Sequence, residues 1–173
     1  MIFTPRLAFR PFRDDDVSVL YDFMHSADAM RYTYIAPSPA QLASRLRTCE
    51  ALRLTLGCAP WVVLERTGMQ VIGWGGLSVD PEVPGWGLEV SYAFAPASWG
   101  NGYATELVQY AVQHALVSLA VPEVNAFAMP ENTASIRVLQ KSGFTLVRYE
   151  PELERNHYVV TAPAQTVPPD ERK

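Results

Sequence analysis

Cysteine is scarce: Cys49 and Cys58 are the only two in 173 residues, too few for a disulfide framework. Three scattered histidines, His25, His114 and His157, bring no ligand spacing with them, so no metal site is expected. Positive charge is not in surplus. Fourteen Lys and Arg against eighteen Asp and Glu leave a net charge of −4, the wrong sign for a chain that lives on nucleic-acid phosphates. Long apolar runs are missing as well. A membrane-spanning helix needs about 20 apolar residues, and the most apolar stretch, residues 107–121, is interrupted by Gln109, Gln113, His114 and Ser118. The opening MIFTPRLAFR has neither the apolar segment nor the small-residue cleavage site of a secretory signal. A reducing cytoplasm is the expected compartment, with no nucleic acid and no membrane as partner.

What is present suits one globular core, with 49% hydrophobic and 18% charged residues and no internal repeat. Residues 1–162 are expected to form a single domain. The proline-rich, mixed-charge end after it, residues 163–173, is expected to be a flexible tail. Along the body, LAFRPF reads as a strand and the run Asp14, Asp15, Asp16 as the acidic first turn of a helix. Ser38 and Pro39 cap a second helix reaching about Leu54. Two strands flank the turn Arg66-Thr67-Gly68, and PEVPG reads as a further turn. Residues 88–94 alternate, with Leu88, Val90, Tyr92 and Phe94 on one face and Glu89, Ser91 and Ala93 on the other. From Ala104 the period becomes helical through Leu119. A strand at 124–129, a helix at 132–142 with Gly143 past its end, and strands at 144–149 and 158–161 complete a mixed sheet with packed helices.

The most informative segment is Trp99-Gly100-Asn101-Gly102-Tyr103-Ala104-Thr105-Glu106, a glycine turn between a strand and a long helix. Such a turn offers free backbone N–H groups at the positive end of a helix dipole, a place for an anion. Without a Cβ at Gly100 and Gly102, a phosphate can approach the backbone closely. A glycine turn serving geometry alone fits the same spacing. A dinucleotide site fits less well, because the third glycine is missing, and no GK[ST] follows for a nucleoside triphosphate.

The run LEVSYAFAPASWGNGYATELVQYAVQHAL resembles the acyl-CoA motif of the GNAT superfamily of N-acetyltransferases. PENTASIRVLQKSGFTLV resembles the N-x-x-S…G-F segment of its RimJ/RimL-type members, and RLAFRPFRDDDV and GMQVIGWGGLSV fit that branch too. Together they cover most of residues 6–160 in the family's order. The resemblance implies an α/β (α+β mixed) fold: a mostly antiparallel central sheet with splayed middle strands and helices on both faces. It also implies acetyl-CoA as cofactor. The family's pyrophosphate loop falls on Trp99, Gly100, Asn101, Gly102, Tyr103, Ala104 and Thr105, where Gly102 and Ala104 match and Trp99 replaces the usual Gln or Arg. Ala93, Phe94 and Ala95 would pair by backbone with the pantetheine arm, with an N–H near Phe94 polarising the thioester carbonyl. Asn132 falls on the family position beside the cofactor, where an asparagine is equally an N-cap.

Acetyl transfer to an amine needs a deprotonated nitrogen, and reference pKa values of about 8 for an α-amine and 10.4 for lysine leave work for a base. Glu89 aligns with the strand glutamate that serves as base in several GNAT enzymes; a solvated surface carboxylate is the alternative. Many of those enzymes carry a proton-donating tyrosine seven residues after the motif asparagine. Leu139 stands there in this chain, and Ser135 is the best substitute, unless its hydroxyl is satisfied by backbone. Tyr32, Tyr34, Trp74 and Trp86 are candidates for the wall of an acceptor pocket, with core packing the alternative for aromatics in a mixed sheet. With both cysteines read as small hydrophobes, transfer would be direct, in a ternary complex. The expected function is acetyl-CoA-dependent N-acetylation of a primary amine, a protein N-terminus or a small molecule, by a monomer or homodimer. A non-catalytic acyl-CoA-binding module is the alternative that Leu139 keeps open.

Overall fold

The computed structural model of the chain describes residues 1–80 and 84–162. Most of the PEVPG turn and the tail at 163–173 lie outside those residues. Eight strands form one sheet in the order β1-β2-β3-β4-β5-β6-β8-β7. They are β1 (Ile2–Phe3), β2 (Leu7–Arg10), β3 (Trp61–Glu65), β4 (Val71–Ser78), β5 (Glu89–Phe94), β6 (Glu123–Ala128), β7 (Thr145–Glu150) and β8 (Arg155–Thr161). Helices α1 (Val17–Met24) and α2 (Pro39–Leu56) precede β3; α3 (Tyr103–Gln113) joins β5 to β6, and α4 (Thr133–Lys141) joins β6 to β7.

Every neighbouring pair is antiparallel except β5 and β6. A connection through α3 returns the chain in the same direction, so these two run parallel. They pair only at Glu89 and Asn125, near the start of each strand. Beyond that point they part, and the sheet opens as a V toward the ends of β5 and β6, where the chain turns into α3 and α4.

Each face of the sheet has its own apolar core. Leu7, Phe9, Trp61, Val90, Phe94, Leu107, Ala111 and Val124 pack under α3 and α4, with Tyr92 against them. Ala8, Leu20, Phe23, Leu42, Leu46, Val62, Trp74 and Ala93 pack under α1 and α2. The alternation along β5 therefore divides two cores and not a core from solvent. Glu89 shares the α1–α2 face with Ala93.

Local signals explain the element ends. The Ser38 side chain accepts from the Gln41 N–H at 3.3 Å, Pro39 opens α2, and Gly57 closes it in the left-handed region. The acidic run forms a 3-10 turn, and Asp16 does more than complement a dipole. It is buried and accepts from both terminal nitrogens of Arg10 at 2.7 and 2.6 Å and from the Arg13 N–H at 2.8 Å. The long helix is shorter than its periodicity predicts: α3 stops at Gln113, and residues 114–118 continue as a π-helical turn beginning at His114. Apolar spacing does not distinguish the two, since α and π turns bury nearly the same stripe. Among the described residues no helix is long and apolar enough to cross a membrane.

Candidate active site

After β5 a 3-10 turn (Pro96–Ser98) leads into the glycine turn. The Trp99 indole N–H donates to the Phe94 carbonyl at 2.8 Å, folding the turn back on the strand end. Gly100 and Gly102 take φ of +78° and +76°, which side chains rarely adopt. No side chain caps α3, and its first backbone bond runs from the Glu106 N–H to the Gly102 carbonyl at 3.1 Å. The N–H groups of Tyr103, Ala104 and Thr105 are thus left without a helix partner and point out of the turn. A Cβ at Gly100 would meet nothing within 4 Å. Open amides over empty space suit the pyrophosphate of a coenzyme A group.

Arg6 completes this mouth. Its Nη1 donates to the Asn101 carbonyl at 2.6 Å, and its Nε pairs with Glu106 Oε2 at 2.7 Å. Glu106 also accepts from the Thr4 hydroxyl at 2.6 Å and the Arg6 N–H at 2.8 Å. Burial pushes the Glu106 carboxyl up, but these bonds together hold it below its ordinary value. The one acidic side chain of the first turn is thereby neutralised, and a guanidinium stands 3.4 Å from where a Gly102 Cβ would be. Sequence reading missed Arg6 because about a hundred positions separate it from the turn. An open groove of about 440 Å³ lined by Arg6, Gly102, Thr105, Gln109 and Tyr110 runs along α3 from this point.

The parted strands connect the turn to Glu89. The Leu88 carbonyl accepts from the Asn125 N–H at 2.9 Å, so even-numbered positions of this segment turn their peptide groups toward β6. Tyr92 and Phe94 then face the opening with their N–H groups. The Ala95 N–H does not; it is committed to the Ile72 carbonyl at 2.9 Å, and Ala93 pairs with Trp74 on β4. Of the three residues expected to pair with a pantetheine arm, Phe94 alone is placed to offer its N–H.

Glu89 lies between Ser78 on β4 and Asn125 on β6. Burial raises its carboxyl to about 7, with Asp80 adding to the rise and Arg155 and Arg45 opposing it. This is not a solvated surface carboxylate but a group that titrates near neutrality. On the other face, Asn132 caps α4, its Oδ1 accepting from the Ser135 N–H at 3.2 Å. Leu139 is only 2% exposed, sealed in the core. Ser135 is the polar neighbour of the Tyr92 hydroxyl, which is buried with no formed hydrogen bond. Burial pushes that phenol up to about 12, with Ser135 acting the other way, so it stays protonated. The signal was a tyrosine on the apolar side of an alternating strand, where a hydroxyl must find a partner.

The aromatic candidates do not form one wall. Trp74 is buried in the α1–α2 core, and Tyr34 lies at its edge beneath the Arg45 guanidinium, 4.5 Å from the ring centroid. Tyr32 pairs with Arg31. Trp86 stands apart on the β6–β8 half, edge-on to Phe127 and His157 at 5.2 Å each. Both cysteine thiols are raised by burial, and no metal-binding cluster occurs among the described residues.

An acetyltransferase domain of the GNAT type matches residues 6–145. The chain belongs to the GNAT acetyltransferase family. It is an N-acetyltransferase that moves an acetyl group from acetyl-CoA to an amine. The uncharacterized N-acetyltransferase p20 of Bacillus licheniformis is 26% identical over 145 residues, 83% of this chain and 81% of that protein. An acetyltransferase from Agrobacterium tumefaciens str. C58 superposes with a TM-score of 0.80 at 24% identity, covering 93% of this chain and 94% of the other. A spermidine N-acetyltransferase from Vibrio cholerae, solved with CoA and spermine, gives 0.73 at 15% identity over 91% and 96%. The fold expected of the family is the fold observed, including its mostly antiparallel sheet with a parallel, splayed centre.

Proposed function

We propose that this GNAT enzyme is of the RimJ/RimL type and transfers acetyl directly to a primary amine, within a single cytoplasmic domain spanning residues 1–162. The observation that carries the reading is the placement of Glu89, half-buried where β5 and β6 begin to part, where burial pushes its carboxyl up to about 7. Acetyl-CoA supplies the acyl group as a thioester. The open amides of Tyr103, Ala104 and Thr105, with Arg6 beside them, hold its pyrophosphate, and Trp99, Gly100, Asn101 and Gly102 shape that turn. The Phe94 N–H stands at the parted strands to polarise a carbonyl. Glu89 takes a proton from the acceptor ammonium, directly or through a water, and above pH 7 it does so mostly ionised. As the amine nitrogen bonds to the acetyl carbon and the C–S bond breaks, Ser135, beside the Tyr92 hydroxyl and the capping Asn132 on the opposite face, would give the departing sulfur its proton. Raised thiols at Cys49 and Cys58 speak against an acyl-cysteine step, which needs a thiolate.

The acceptor is a protein N-terminal α-amine or a small amine, bound on the α1–α2 face near Tyr34 by a monomer or homodimer. Charges of both signs, Asp80, Arg45 and Arg155, surround Glu89 there. Two measurements test the reading. Saturating CoA should raise the Tm by roughly 5–10 °C at 100 times its Kd, for a chain of this size. Thiol release with acetyl-CoA and a panel of N-terminal peptides, amino acids, polyamines and aminoglycosides should then reveal turnover. CoA binding without turnover on any amine would leave a binding module instead.

A further inference from the structure

The strand face that carries Glu89 holds a second chain of buried polar groups. Asn125, opposite Glu89, is 5% exposed. Its Nδ2 donates to the Trp86 carbonyl at 2.8 Å and, more weakly, to the Leu88 carbonyl at 3.4 Å, while its backbone N–H also holds Leu88. With the amide protons so engaged, Oδ1 must accept, and it lies 2.7 Å from His157 Nε2. The imidazole proton is therefore on Nε2, and Nδ1 is bare. Nδ1 is buried without a hydrogen-bond partner, 3.8 Å from Glu150 Oε1. Glu150 is held by Arg148 Nε at 2.5 Å, and the Arg148 guanidinium lies over Trp86. Burial keeps the imidazole below its ordinary range; Glu150 and Glu123 oppose this and Arg148 assists it.

Packing does not call for a histidine here. The ring stacks on Phe127 at 4.8 Å and meets Trp86 edge-on, contacts that phenylalanine would make as well. What the imidazole adds is one directed N–H. Its recipient clamps both carbonyls flanking Gly87, a residue at φ +74° two positions before the start of β5. Without that clamp the Trp86 carbonyl loses its partner, and the segment entering Glu89 is tied to β6 only by the backbone bond from Asn125 to Leu88, with Gly87 able to turn behind it.

We infer that His157 is a positioning residue for Glu89: through Asn125 it fixes the Trp86 and Leu88 carbonyls and so sets how the carboxyl meets the parted strands. The inference rests on Glu89 acting as the base. The test compares purified His157→Phe, His157→Gln and Glu89→Gln by steady-state kinetics from pH 5.5 to 9, with CoA affinity measured by calorimetry. His157→Phe should lower kcat about 10- to 100-fold, the scale of a misplaced reacting group. It should leave CoA affinity within about twofold and shift the midpoint of the acidic limb by about half a pH unit or more, because the environment of Glu89 changes. His157→Gln, whose amide can donate to Asn125 Oδ1, should recover most of the rate. If His157→Phe does not fold, His157→Asn, too short to reach Asn125, takes its place. A wild-type rate and pH limb in the donor-less variant, or equal impairment in it and His157→Gln, overturns the inference while an impaired Glu89→Gln preserves the base. A fully active Glu89→Gln overturns both.

Discussion

Glu89→Gln is expected to lower kcat about 10²- to 10³-fold at pH 7.5, within the range of a positioned general base, without weakening CoA binding. The wild-type rate should rise with pH through about 7, because burial and Asp80 hold the Glu89 carboxyl protonated below that point and a protonated carboxyl cannot take the ammonium's proton. In the variant this rise disappears, and the remaining rate follows the acceptor's own ionisation. An α-amine of pKa about 8 is largely free above pH 9, so the gap between the two enzymes should narrow there. A lysine-like acceptor would keep the gap open to higher pH. Parallel profiles at every pH, in steady-state assays with saturating acetyl-CoA, would remove Glu89 from the chemistry.

The same substitution couples to stability with a definite sign. The carboxyl rises from 4.5 to about 7 on folding, so the native state favours its protonated form. That stabilisation is fully present below about pH 4.5 and is lost as pH rises through about 7. A shift of this size corresponds to at most roughly 3 kcal/mol. Glutamine keeps the neutral polar group and never pays the cost of burying the charge. Thermal melts should show Glu89→Gln more stable than wild type at pH 8 and no different at pH 4. Gaining stability while losing rate marks a group retained for function.

The elements read correctly from sequence are those whose signals lie within a few residues. Ser38, Pro39 and the terminal Gly57 bound α2 locally, and the change of period at Ala104 announces α3. Strand β1 has only Ile2 and Phe3, too short for any periodicity, and exists because it pairs with β2. The π turn at His114 is silent in the apolar pattern. At the site, the glycine turn is legible because its amides come from consecutive residues. The state of Glu89 is not, since its β6 partner Asn125 and the charges of Arg45 and Arg155 that act on it lie dozens of positions away in sequence. Arg6, Tyr92 and the Asn125–His157 pair are long-range in the same way: each becomes functional only when the sheet order joins strands distant in sequence.

Gly102→Val is expected to raise the Kd for CoA about 10- to 100-fold, equivalent to losing one or two hydrogen bonds to a charged group. Gly102 sits at φ +76°, a conformation that a β-branched residue reaches only at a cost of about 1–3 kcal/mol. The backbone must therefore either store that strain or rotate, and rotation turns the amides of Tyr103, Ala104 and Thr105 away from their common target. The new Cβ would also stand in contact with Arg6 Nη2 at 3.4 Å, beside the guanidinium that balances Glu106. Strain alone predicts a loss of stability, so a matched control is needed. Gly143, past the end of α4, has φ +87° and lies away from the turn; its Cβ would meet Val160 at 3.7 Å. Gly143→Val should lower the Tm comparably and leave CoA affinity within about twofold of wild type, as expected for sites too far apart to couple. Calorimetric titration of both variants separates the two effects. Unchanged CoA affinity in Gly102→Val, beside a Tm loss equal to that of Gly143→Val, would reduce the turn to backbone geometry and send the pyrophosphate elsewhere.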